Sequence, residues 1–114
     1  MLHRLVWGLG LACTLALAQT PVMPKIFAKC IACHGQDGQA IAPGARGNTS
    51  IAGLSKQKLI ANLRGYRAQF TDNGGAKSIM YLQARDLSDS DIQELAEYIS
   101  KLPKAQPNST EKAK

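Results

Sequence analysis

Apolar positions along this chain change their spacing from one stretch to the next, and each spacing predicts a different element. Leu5 to Leu17 is a short apolar run. Ile26, Phe27, Cys30, Ile31 and Cys33 then fall on one arc, which predicts a helix from about Pro24 to Cys33, with proline in its first turn and His34-Gly35 at its end. No period survives from Gly35 to Gly53, where Gly, Ala, Asn, Ser and Pro predominate, so this is a wrapping loop. A second helix opens at Ser55, a capping residue flanked by Leu54 and Leu59 at the two staple positions. Its stripe is Leu59, Ile60 and Leu63, with Tyr66 one turn on, and Gly65 weakens it. Phe70 to Gly75 is turn-rich, and Lys77 to Asp86 leads into the last helix. That helix has the strongest start signal: Ser88 as cap, Asp91 at the reciprocal position, Leu87 and Ile92 as staple. Ile92, Leu95, Ala96, Ile99 and Leu102 recur at helical spacing until Pro103. Nothing supports an all-β alternative, so the expected class is all-α.

The first run is an address rather than a structural element. His3 and Arg4 precede it, and Ala16-Leu17-Ala18 offers small residues for cleavage before Gln19, the pattern of a secretory signal peptide over residues 1–18. The run is too short to span a bilayer comfortably, and no later segment can, so no membrane span is expected in the mature chain. Cys13 belongs to this leader; Gly10 stands where a lipid-attachment site usually has Leu. Cleavage leaves one domain, residues 19–102, and a polar tail, residues 103–114, expected to be disordered. A mature chain of 96 residues without Trp lies near the size at which a core alone gives marginal stability, so something should supplement it.

The supplement is indicated by Cys30-Ile31-Ala32-Cys33-His34. Two thiols on one helical turn can add to the two vinyl groups of a haem, and the histidine that follows can present a ring nitrogen to the iron. A structural zinc site wants four ligands, and outside the leader only these three Cys and His residues exist. A thioredoxin-like dithiol belongs at the end of a strand, and no β-branched run flanks Cys30. One covalent haem c is therefore expected, with Cys30 and Cys33 as thioether anchors and His34 as proximal ligand.

The sixth ligand decides what such a haem does: an open site binds gases or peroxide, while a second strong ligand leaves electron transfer. His3 and Met1 leave with the leader, so Met23 and Met80 are the remaining thioethers. Met23 precedes Cys30 by seven residues on the same short helix and is confined to the proximal side. Met80 follows a glycine-rich loop and precedes the last helix by eight residues, so it can be held over the ring without itself being helical. Lys77 is a substitute should Met80 be displaced.

From Pro24 to Leu102 the chain resembles the small monohaem class I cytochromes c of bacteria, particularly short periplasmic ones. The resemblance rests on Ile26-Phe27, the Cys30 to Gly35 motif, the Leu54-Ser55 helix start, Met80, and Leu87 to Ile92 leading into Leu95 to Ile99. It implies a cytochrome c fold of three to five helices around one covalent haem, with Ile26 and Phe27 crossing Leu95, Tyr98 and Ile99. Two departures stand out. Val22 and Met23 occupy the region where many members have Gly at the crossing, and Thr49-Ser50-Ile51-Ala52-Gly53 replaces a Pro-x-Leu-x-Gly run whose carbonyl holds the proximal imidazole. The partner of His34 is then either Thr49 or Pro43.

The formal charge of +6 falls to +5 once Arg4 departs with the leader. Its distribution says more. Nine basic residues face only Asp37 and Asp72 between Lys25 and Arg85, whereas Asp86 to Glu97 carries five acids. A positive surface around a haem edge would steer a redox protein with an acidic docking face, and export argues against nucleic acid. These features point to a monomeric periplasmic electron carrier that catalyses no bond chemistry of its own. The alternatives are a haem subunit of a larger oxidoreductase and an open-site gas-binding or peroxidase-like protein. The four-helix gas-binding cytochromes carry their haem motif near the C-terminus, unlike Cys30.

Overall fold

The computed structural model describes residues 10, 12–17, 20–47 and 50–106, and within them the regular structure is entirely helical. A 3-10 segment, Lys25–Cys30, runs into α1, Ile31–His34; α2 is Lys56–Arg67, α3 is Lys77–Ala84 and α4 is Asp89–Ser100. Most of the expected leader and residues 107–114 of the expected tail lie outside the described residues, and no described helix is long and apolar enough to cross a membrane.

Helix α4 organises the core because its start is fixed and its stripe is unbroken. Ser88 Oγ accepts from the Asp91 backbone N–H at 3.0 Å, and Asp91 Oδ2 accepts from the Ser88 N–H at 2.9 Å, the reciprocal box the sequence implies. Arg67, at the end of α2, donates to the Leu87 carbonyl at 3.0 Å and to Asp89 Oδ1 at 2.8 Å, which holds the Asp89 carboxyl below the usual carboxylate range. Behind these contacts Ile92, Leu95, Ala96, Ile99 and Leu102 are all buried. Helix α2 packs across α4, and α3 packs on α2.

The first helical stretch joins this core through Phe27, which is fully buried; its ring meets Tyr98 edge-on with centroids 4.9 Å apart. The stretch is not one regular helix, since it begins as the tighter 3-10 form and becomes α only over the motif residues. The 35–53 loop contains no described strand and is tied to the end of α4: Gly53 N–H donates to the Ile99 carbonyl at 3.0 Å, and Gln39 Nε2 to the Pro103 carbonyl at 3.0 Å.

Gly65 lies within α2, and it is glycine there because the space a Cβ would fill is taken by the Thr71 side chain; the Gly65 carbonyl also accepts from the N–H groups of Phe70, 3.1 Å, and Thr71, 3.4 Å. This glycine is a packing contact where the chain folds back. The stretch leading to the last helix is itself a helix, α3, so Met80 is helical rather than held in a loop. Its N-cap, Ala76, offers no side-chain acceptor, which is why the start was not visible in the sequence; tertiary ties supply the order, including Tyr81 Oη donating to the Thr71 carbonyl at 3.0 Å.

Candidate functional site

All four helices contribute to one cavity of about 500 Å³, which falls within the range of small-molecule and cofactor sites. Cys30, Cys33 and His34 line it from the 3-10 segment and α1; Leu59, Leu63 and Tyr66 from α2; Met80 from α3; Leu95 and Ile99 from α4. The walls are mainly apolar, and several of these residues also belong to the core. The four residues expected from sequence to hold a haem thus converge on one space. Met23 is not part of this lining and is 41% exposed.

The chemistry of these groups follows from their surroundings. Burial pushes the Cys30 thiol up, against an opposing pull from Lys29 and with a further push from Cys33. A protonated thiol is the reverse of the activated thiolate a redox dithiol needs. Burial also lowers the His34 pKa, so the ring stays neutral and one nitrogen keeps a lone pair for a metal. His34 Nδ1 is buried without a hydrogen-bond partner among the described residues. Pro43 lines the cavity yet does not accept from it, and Thr49, the other expected partner, lies outside the described residues. An apolar chamber, two adjacent thiols, a neutral imidazole and a thioether form a donor set that fits an iron porphyrin.

Sequence reasoning did not single out several residues at this site. Lys58 and Asn62 line the cavity from α2, and Arg46, Asn73 and Gly74 line it from two loops. The α2 pair was detectable in principle, because Lys58, Leu59, Asn62, Leu63 and Tyr66 fall on one helical arc. Burial raises the Tyr66 pKa, while hydrogen bonds with Asn73 oppose the shift.

The family model described as cytochrome c matches residues 24–103. The chain belongs to the cytochrome c family. Its relatives include cytochrome c-554(548) of Halomonas halodenitrificans, 38% identical over 71 residues that make up 62% of this chain and 81% of the relative. Cytochrome c-553 of Nitratidesulfovibrio vulgaris is 31% identical over 77 residues, 68% of this chain and 72% of the relative. A thiosulfate dehydrogenase electron acceptor of Thiomonas intermedia is 37% identical over 93 residues, 81% of this chain but only 40% of that protein. As a cytochrome c, the chain has haem c as its covalently bound cofactor and serves electron transfer; the all-α fold is the one its sequence resemblance implied.

Proposed function

We propose that this cytochrome c is an exported, periplasmic electron carrier whose haem is anchored by Cys30 and Cys33 and ligated by His34 and Met80. The observation that carries this reading is the shared cavity: Met80 lines it together with the attachment motif, and Met23 does not. The haem supplies an iron that cycles between ferric and ferrous states. Around it, the chain's own residues exclude water with Leu59, Leu63, Leu95 and Ile99, keep His34 neutral by burial, and offer a soft thioether, which favours the ferrous state and raises the potential. With His34 and Met80 both serving as ligands, the iron would be closed to substrate. Residues 1–18 act as the leader, 19–102 form the carrier domain, and 103–114 are the tail.

The test is substitution at the two methionines. Native ferric protein should show the weak far-red charge-transfer band of methionine-ligated iron. Met80→Ala should abolish it, open the ferrous iron to carbon monoxide and lower the potential, while Met23→Leu should do none of these. Rapid carbon monoxide binding by native protein would instead favour the open-site reading.

The partner reading rests on how the charges are shared out. Lys56 and Lys101 pair with Glu97, Arg67 with Asp89, Lys77 with Asp72 and Arg85 with Asp86. Lys29, Arg46 and Lys58 are exposed, line the cavity and have no ion-pair partner among the described residues. A redox protein with an acidic docking face complements that rim. The name of the Thiomonas relative, an electron acceptor for a dehydrogenase, supports an oxidoreductase as the electron donor.

A further inference from the structure

The cavity is closed on one side by two loops that touch each other. One, around 42–47, follows the attachment motif; the other, around 72–76, leads into α3. Arg46 forms the contact twice. Its backbone N–H donates to the Gly74 carbonyl, and its side chain lies against Gly75 so closely that a Cβ there would stand 2.8 Å from Arg46 Nε and 3.3 Å from Arg46 Cγ. The same Cβ would be 3.2 Å from the Gly44 carbonyl oxygen. Gly74 and Gly75 both hold positive φ, 122° and 103°, in the region that favours glycine. Directly beyond them Ala76 caps α3, and its carbonyl accepts from the Met80 N–H at 3.2 Å. The loop that follows the attachment motif therefore grips the turn on which the helix carrying Met80 is founded.

We propose that Arg46, packed on Gly75, is a positioning residue that keeps the start of α3 closed over the cavity and so holds the Met80 thioether at the iron. The inference rests on Met80 being the sixth ligand. Helix α3 needs such a device because its own start lacks a side-chain cap, and Ile79 and Leu82 on it are substantially exposed, so it has little burial of its own to hold it down. Loosening the grip raises the fraction of molecules in which Met80 is away from the iron, and an exogenous ligand reads that fraction directly.

The experiment uses haem-loaded protein and carbon monoxide as the probe, comparing native chain, Arg46→Ala, Gly75→Ala, the double variant and Met80→Ala. Arg46→Ala removes the side chain without adding an atom and should raise the binding rate about fivefold; Gly75→Ala forces the loops apart and should raise it roughly tenfold or more. In the double variant the increase should fall short of the product of the two, because the added methyl no longer meets the Arg46 side chain. A native-like rate in Arg46→Ala, or strictly multiplicative effects, overturns the proposal. If Gly75→Ala cannot be loaded with haem, Arg46→Ala decides alone, and a native-like rate overturns it. Failure of the ligand assignment looks different: native protein then lacks the far-red band and binds carbon monoxide as fast as Met80→Ala.

Discussion

Phe27 shows what a single residue contributes here. It is the only core side chain from the 3-10 segment, fully buried and edge-on to Tyr98, so it joins the attachment motif to α4. Truncation to alanine removes that join and leaves a cavity the surroundings cannot easily fill. Phe27→Ala should cost about 3–5 kcal/mol in denaturant unfolding of the haem-loaded protein. A cost below about 1 kcal/mol would mean that the motif is held by its cofactor alone. Residue-scale chemistry was the most legible part of the sequence: Cys30, Cys33, His34 and Met80 were each singled out by type and spacing, and the fold brings them to one cavity. Arg46 was not, because its role depends on two loops meeting, and nothing in local spacing announces such a meeting.

Among the helices, legibility tracked how much of the ordering is local. Helix α4 carries its own cap and stripe, so Ser88, Asp91 and the apolar run predicted it. Helix α3 carries neither a cap nor a fully buried face, and tertiary ties, among them its packing against α2 and the Tyr81–Thr71 hydrogen bond, order it. The same distinction sets the sign of two substitutions. Ser88→Ala removes an acceptor from the capping box and should cost about 1 kcal/mol of unfolding free energy. Gly65→Ala, which in an exposed helix would stabilise by about 1 kcal/mol, should destabilise here, because the methyl would collide with Thr71. Stabilisation by Gly65→Ala in thermal unfolding would show that the fold-back at Thr71 is loosely held.

For the whole molecule, charge acts on both stability and partner encounter. Glu97 joins Lys56 at 2.8 Å and Lys101 at 2.5 Å, and hydrogen bonds to Lys101 and then Lys56 lower its carboxyl to about 2. A depressed folded-state pKa contributes stability that is fully present above the ordinary value of 4.5 and is lost as pH falls through about 2. The difference in melting temperature between native protein and Glu97→Gln should thus be present at pH 7, vanish near pH 2, and shrink with added salt because the network is solvent-exposed. Encounter should respond to salt as well. The rate of electron transfer with an acidic redox partner should fall roughly tenfold or more from low to high ionic strength, and Lys58→Glu should flatten that dependence. A rate indifferent to salt would make the cationic rim incidental.

Leu59, Leu95 and Ile99 belong to the core and to the cavity wall at once, so the cofactor is packed as part of the interior rather than placed on a finished scaffold. A core of that kind is ordinarily at the mercy of mass action: stabilisation by a reversibly bound group rises with its free concentration and disappears on dilution. Covalent attachment removes the concentration from the expression, since the group that completes the interior can never be more distant than that attachment allows. A cytochrome built this way can be carried into a dilute compartment where free haem is scarce and remain as stable as when it was assembled.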